Sequence, residues 1–430
     1  MKRPIATNLA WLLAERVVVT LVVFVSNLYV IRTLGAARFG ELALFQVYLA
    51  LTLTGTEFGL RRVFLALGRA RAVGLVLEAT VTIKLALCAV LGVALAAALW
   101  RLDSRPEYWL LLAVIALAPL EAYVYHFEAQ LRNDLLARLR IALALAMAAT
   151  RVALCLGGAG VPALAATYVL PSMLLWLACR VLARRPAARP ASPRRRAAVR
   201  GQVLRRAAFF FASMILLQLH ARIDQLLLAA LAGSTELGLY AGAFKFVEQL
   251  ALLPAMLTGV LLPALSRRNR ADTAHNLHAV YFAAFVASLA LAAALALGAR
   301  PLVALTLGPE FVTASPVLAV LAWGVPALFL ANVSGLFYSL EGMEHWAFVR
   351  NLAGLALGLV LGLILIPRFG ALGAAWSMVA SYSFVAFAVE WCTPRLRPNA
   401  LLKARAFGAL FSPRGYGALL ARMGHSDVRH

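Results

Sequence analysis

Residues 8–60 read NLAWLLAERVVVTLVVFVSNLYVIRTLGAARFGELALFQVYLALTLTGTEFGL. Two apolar runs, 8–31 and 42–60, flank a short connection that carries Gly35 and Gly40. A helix crossing the bilayer core needs roughly 20 apolar residues, so each run has the length of one span and the connection is a tight turn. The pattern continues, with further spans expected at 77–99, 108–128, 139–157 and 161–182, then at 207–232, 239–264, 277–298, 313–338, 344–366 and 370–392. Between the two series lies 183–206, ARRPAARPASPRRRAAVRGQVLRR, too rich in Arg and Pro to be buried. The expected fold class is an all-α polytopic membrane protein of about twelve transmembrane helices. It divides into a six-helix lobe over 1–182, a linker over 183–206, a second six-helix lobe over 207–392 and a basic tail over 393–430.

Composition supports the same class. Of 430 residues, 63% are apolar and only 14% charged, too few charged side chains to cover the surface of a soluble protein of this size. The formal net charge of +23 raises the question of a nucleic-acid partner, because a strongly basic chain is the usual footprint of phosphate binding. The basic residues, however, sit in the connections between apolar runs and at the two ends. With the N-terminus in the cytoplasm, 29 of the 41 basic residues fall on inside segments, and only Arg32, Arg38, Arg101, Arg105, Arg300 and Arg368 on outside loops. That is the positive-inside distribution of a membrane protein. It places both termini in the cytoplasm and argues against nucleic acid. The run after Met1-Lys2-Arg3 is longer than a signal-peptide core and reads as a retained first span. Cys88, Cys155, Cys179 and Cys392 lie in or beside apolar runs without a CxxC pair and read as packing residues.

A repeat underlies the two series. Shifted by 198 residues, Gly35 falls on Gly233 and Gly40 on Gly238, so LGAARFGELALF parallels AGSTELGLYAGA. GVPALAATYVL from Gly160 is echoed by GALGAAWSMVA from Gly370. Six spans per half give both halves the same orientation, so the expected relation is a parallel repeat about an axis along the membrane normal.

Catalytic signals are missing. The chain has no Walker loop, HExxH or GxSxG, and no large outside loop to carry a pair of carboxylates. His275 and His278 stand at i, i+3 with no nearby carboxylate or Cys, and read as interfacial rather than as metal ligands. A transporter without cofactor or metal is what these features leave.

Ionisable residues inside spans mark function by default, because their burial in lipid is costly. Arg16 lies in the first span. Arg222 and Asp224 lie in LQLHARIDQLLLAAL, the first span of the second half. Lys245 and Glu248 share a face of the eighth span, where they either neutralise each other or serve transport. Glu57 precedes Arg61 and Arg62 at the inner end of the second span, a position that equally suits simple interfacial anchoring. Arg151, mid-span among Ala, Leu and Met, must face protein or water. Lys84 can snorkel, and Glu121 and Glu128 share a face of the fourth span. Converging cations suit a phosphate or diphosphate. The candidate substrate-binding residues are therefore Arg16, Arg61, Arg222 and Lys245, and the candidate ion-coupling residues are Asp224, Glu57 and Glu248. In the tail, Leu401, Leu402, Leu410 and Phe411 recur among Lys403, Arg405 and Arg414, as in a helix lying on anionic membrane lipids. A disordered tail is the other reading, and deletion of 412–430 is expected to leave folding and transport intact.

Three stretches carry a resemblance. Asp224 with LLLAALAGSTELGLYAGAFKFVEQLALLPAMLTGVLLPALSR at 226–267 resembles the middle signature of the polysaccharide-biosynthesis flippases. The opening is similar to theirs, with its turn at Arg32, Leu34, Gly35, Phe39 and Gly40, and IPRFGALGAAWSMVASY at 366–382 resembles their last-span signature. The resemblance covers nearly the whole chain, although it gives no position-by-position match for the candidate substrate-binding cations. It implies the multidrug/oligosaccharidyl-lipid/polysaccharide exporter superfamily, two lobes in a V, alternating access, and coupling to an ion gradient in some members. The implied cargo is an undecaprenyl-diphosphate-linked oligosaccharide of an O-antigen, capsule or exopolysaccharide, moved across the bacterial inner membrane. The polysaccharide polymerase and glycosyltransferases that handle such polyprenyl-diphosphate-linked glycans are the implied partners. A lipid II flippase, an ion-coupled drug antiporter of the same superfamily and a non-transporting scaffold stay open as alternatives.

Overall fold

The computed structural model describes residues 5–67, 73–101, 105–183, 192–265 and 270–410, and every regular element among them is helical. With no water to satisfy backbone groups in a bilayer core, helices are one of only two ways to cross it. The chain divides into two compact units, Met1–Arg222 and Ile223–His430. The first holds α1 (Ile5–Glu57), α2 (Leu60–Leu67), α3 (Val73–Arg101), α4 (Leu110–Leu117), α5 (Glu121–Ala129), α6 (Asn133–Leu156), α7 (Val161–Leu182) and α8 (Pro193–His220). The second holds α9 (Ile223–Leu231), α10 (Gly233–Leu250), α11 (Leu252–Leu265), α12 (Arg270–Leu297), α13 (Ala299–Thr306) and α14 (Ser315–Ala322). It continues through α15 (Gly324–Leu340), α16 (Glu344–Ser383), a π turn at Phe384–Ala388, α17 (Val389–Cys392) and α18 (Arg397–Leu410).

Nine helical stretches among the described residues are long and apolar enough to cross a membrane, and the chain is a multi-pass membrane protein. Two of them, Ala14–Leu67 and His345–Cys392, run to 54 and 48 residues, more than twice what one crossing takes. Each contains two of the spans read from the sequence and breaks at a glycine, Gly35 (φ 73°) or Gly370 (φ 55°). Only glycine enters this left-handed region without a steric cost. Gly233, the repeat partner of Gly35, is also left-handed at φ 84°. At Gly370 the break frees backbone N–H groups, and the N–H of Ala371 donates to Glu236 Oε2 at 2.7 Å. That carboxylate caps a helix start in an apolar setting, where an unpaired donor would cost several kcal/mol.

The helix expected at 207–232 is differently placed. It starts at Pro193, inside the Arg/Pro-rich stretch, with the Arg195 N–H donating to Ser192 Oγ at 3.3 Å as an N-cap. It ends at His220, and a turn at Ala221–Arg222 separates it from α9. Residues 184–191 of the expected linker lie outside the described residues.

The tail expectation needs correction. Residues 411–430 lie outside the described residues, but within α18 the cations do not all face outward: Lys403 is buried while Arg405 is exposed. Leu396, just before the helix, and Asn399, Ala400, Lys403 and Ala406 within it turn inward, all buried, while Leu401 is exposed. The i, i+3, i+4, i+7 spacing of that face is a helix-packing pattern, with polar Asn399 and Lys403 inside because a buried carboxylate waits for them. Phe407 adds ring contacts with Phe285 and Phe387 at 4.2 and 5.5 Å. Truncation after residue 411 is expected to leave a monodisperse detergent-solubilised protein, and truncation after residue 396 to lose it. Equal elution profiles for the two truncations would show that α18 contributes nothing to folding.

Candidate functional site

In the first unit the polar residues gather where α1, α2, α3, α5 and α6 pack. Lys84 of α3 is 0% exposed, so it does not snorkel. Its Nζ donates to the Thr56 carbonyl at 2.8 Å and to Glu121 Oε2 at 2.6 Å, and lies 5.6 Å from the centre of the Tyr125 ring. One face of the 121–128 segment carries the second carboxylate, Glu128. Arg61 engages it with a two-pronged fork, Nε to Oε2 and Nη2 to Oε1, both at 2.9 Å. Arg140 reaches the same Oε1 at 3.3 Å and Glu15 at 3.6 Å. Glu57 stands within electrostatic reach of Glu121, Arg61, Lys84 and Arg62. The result is a chain of alternating charges, the form in which ions survive away from water.

In the second unit, Asp224 is buried at the first turn of α9. Its Oδ1 accepts from the Gln225 N–H at 2.9 Å, and its Oδ2 accepts a short hydrogen bond from the Tyr240 hydroxyl. The Leu237-Gly238-x-Tyr240 step thus supplies the partner of the aspartate that precedes it. Lys245 and Glu248 pair within α10 at 3.0 Å, the mutual neutralisation that their i, i+3 spacing allowed.

The sequence candidates therefore differ in their commitments. Arg61 already forks a carboxylate, and Lys245 is paired on its own helix. Arg16 is exposed on α1. Arg222 sits partly buried in the turn between α8 and α9, its N–H donating to the Leu219 carbonyl at 3.1 Å. Arg16, Arg61 and Arg222 lie in the first unit, where Glu57 joins the Arg61 cluster, and Lys245, Glu248 and Asp224 lie in the second.

Two more buried centres complete the picture, one at Arg151, which the sequence placed against protein or water, and one that the sequence reading missed. Arg151 faces protein and is 3% exposed. Its guanidinium donates to Thr167 Oγ1 at 3.0 Å, Ser26 Oγ at 3.1 Å and the Thr167 carbonyl at 3.2 Å, and stacks 4.0 Å from the Tyr168 ring centre. The second centre is Glu390, 0% exposed. It accepts from Tyr338 Oη at 2.8 Å, Asn399 Nδ2 at 2.9 Å and Lys403 Nζ at 2.8 Å, with Arg350 Nη1 at 3.8 Å. A single Glu at the end of an apolar run was the available signal for it.

Comparison with known proteins gives consistent results. A family model described as polysaccharide biosynthesis protein matches residues 29–316. No curated protein matches by sequence. Among solved structures, the chain is similar to lipid II flippase MurJ in an inward closed conformation, with TM-score 0.67 and 12% identity, over 93% of this chain and 91% of that one. It is also similar to an inward-facing multidrug resistance MATE family transporter of the MOP superfamily, with TM-score 0.63 and 15% identity, over 90% of this chain and 94% of that one. A MOP superfamily transporter from Pyrococcus furiosus, described as having a binding pocket of reverse polarity, matches at TM-score 0.52 and 15% identity, over 92% and 93% of the two chains. At these identities the likeness is one of fold.

Proposed function

Because this chain belongs to the polysaccharide biosynthesis protein family, we propose that it is a flippase for a lipid-linked oligosaccharide. Its cargo would be an undecaprenyl-diphosphate-linked repeat of O-antigen, capsule or exopolysaccharide type, carried across the bacterial inner membrane by alternating access. Family membership is the observation that carries this reading. The transporter fold shared with MurJ and the MATE proteins supports it.

In this reading the diphosphate is the recognised group. Its strong acceptors suit an arginine fork better than a lysine point charge. Arg16 and Arg222 are the primary contacts, from their places in the first expected span of each half. Glu57, Asp224 and Glu248 are the carboxylates placed to exchange an ion during alternating access. The test is reconstitution into vesicles with a fluorescent undecaprenyl-diphosphate oligosaccharide, following its exposure to an impermeant quencher or glycosidase. Protein-dependent translocation supports the assignment, and its absence with the glycolipid but presence with lipid II would assign the flippase to the second substrate, the reading favoured by the MurJ-like fold.

Orientation has its own test. The basic residues on both sides of Ser192 belong on the cytoplasmic face, and Ser192 is an exposed helix cap. Ser192→Cys is expected to react with an impermeant maleimide in inverted vesicles and not in intact cells. Labelling from outside would reverse the assignment of every loop.

A further inference from the structure

We propose that Lys403, Glu390 and Arg350 form a proton-binding site in which the Lys403 amine takes up and releases the proton, and that this site holds α18 against the end of the last apolar helix. Two cations face one carboxylate. Lys403 Nζ stands 2.8 Å from Glu390 Oε2 and Arg350 Nη1 3.8 Å from Glu390 Oε1, so with the amine protonated the cluster carries one excess positive charge in a buried setting. With the amine neutral, Arg350 and Glu390 balance. Among the described residues, the other titratable groups placed around this cluster are tyrosines. Tyr338 of α15 donates to Glu390, and Tyr281 of α12 donates to Asn399 Oδ1 at 2.7 Å. Neither carries a compensating charge near neutral pH.

Two of the three ammonium donors have hydrogen-bond acceptors. Besides Glu390, Lys403 donates to the Ala386 carbonyl at 2.6 Å, inside the π turn, and lies 5.6 Å from the centre of the Tyr281 ring. Proton loss removes the ion pair and the cation–π contact together. A route for the proton is present, since Lys403 lines a cleft of about 140 Å³ with Ala386, Phe387, Trp391, Ala400, Ala404 and Phe407. That volume accommodates several waters. Burial pulls the Lys403 amine down to about 8, opposed by Glu390 and aided by Arg350, which puts its exchange close to cytoplasmic pH. The site lies outside every residue assigned above to substrate or ion, and it does not depend on which lipid is carried.

The chain has four lysines, Lys2, Lys84, Lys245 and Lys403, so the full-length protein labelled with 13Cε-lysine in nanodiscs gives a countable spectrum. Lys403→Met assigns the signal. It is expected to titrate near pH 8, against about 10.4 for an ordinary lysine. Glu390→Gln is expected to lower that midpoint by about tenfold in acidity or more, and Arg350→Gln to raise it. Should Glu390→Gln fail to accumulate, Arg350→Gln, which removes the longer contact, carries the test. Stability gives an independent readout. Between about pH 8 and 10.4 the unfolded chain still holds a proton that the folded chain has released, so thermal stability should rise across that window in wild type and not in Lys403→Met. A Lys403 signal that does not titrate between pH 7 and 9.5, or a midpoint that Arg350→Gln leaves unmoved, overturns the proposal.

Discussion

Glu121→Ala is expected to remove most of the folded protein from the membrane fraction, with a loss of about 3–5 kcal/mol in stability. The reason is the position of its partner. Lys84 is wholly buried, and its ammonium has the Glu121 carboxylate and the Thr56 carbonyl as hydrogen-bond acceptors. Removing the carboxylate strands a charge in apolar surroundings, which costs the full desolvation of the ammonium. The reverse change is milder. Lys84→Met leaves Glu121 with some access to water, its side chain being 19% exposed. Replacing both, as Lys84→Met with Glu121→Leu, is expected to restore stability to near wild type, because two apolar groups of similar size demand no solvation. Thermal melting followed by fluorescence-detected size-exclusion chromatography checks all three. A wild-type melting temperature for Glu121→Ala would show that Lys84 finds another anion or releases its proton.

That asymmetry bears on how much of the molecule was legible. The apolar runs announce helices because lipid leaves a backbone few other choices, and the glycines announce the breaks because the left-handed region excludes most other residues. Gly35 and Gly233 match in sequence and again in backbone conformation. Pairing within one helix was legible too: Lys245 and Glu248 meet as their spacing allows. Pairing between helices was not. Lys84 and Glu121 are 37 positions apart, and Arg61 and Glu128 are 67, so no local pattern links them and Lys84 read as a snorkelling side chain. Glu236 and the Ala371 N–H that it caps are likewise 135 positions apart. The tail misled for a related reason. Lys403 and Arg405 are both cations on one short helix, yet Lys403 is buried against Glu390 and Arg405 is exposed. Amphipathicity locates an apolar face, and it places a buried lysine on the wrong side when a carboxylate lies beneath it.

The functional candidates stand on a different footing, because the partner proposed for them is a substrate. Arg222→Ala is expected to reduce glycolipid translocation per inserted molecule by roughly 10- to 100-fold, the effect of losing charge-assisted hydrogen bonds of about 1.5–3 kcal/mol to a diphosphate. Arg222→Lys should recover only part of this, since one ammonium cannot reproduce a planar fork on two phosphate oxygens. Arg16→Ala should lower translocation in the same sense, being an exposed cation on α1. Asp224→Asn separates binding from coupling. It keeps the shape and an acceptor for one of its two donors, the Gln225 N–H or the Tyr240 hydroxyl, sets an NH2 group toward the other and removes the charge. If Asp224 exchanges the coupling ion, gradient-driven turnover falls while glycolipid binding holds. Normalising to inserted protein is essential, because an Arg222 that served packing would lower abundance and leave the rate per molecule intact. Wild-type translocation per molecule in both Arg16→Ala and Arg222→Ala would remove the cations from recognition of the diphosphate, and the search for its contacts would turn to Arg61 and the carboxylate it now holds.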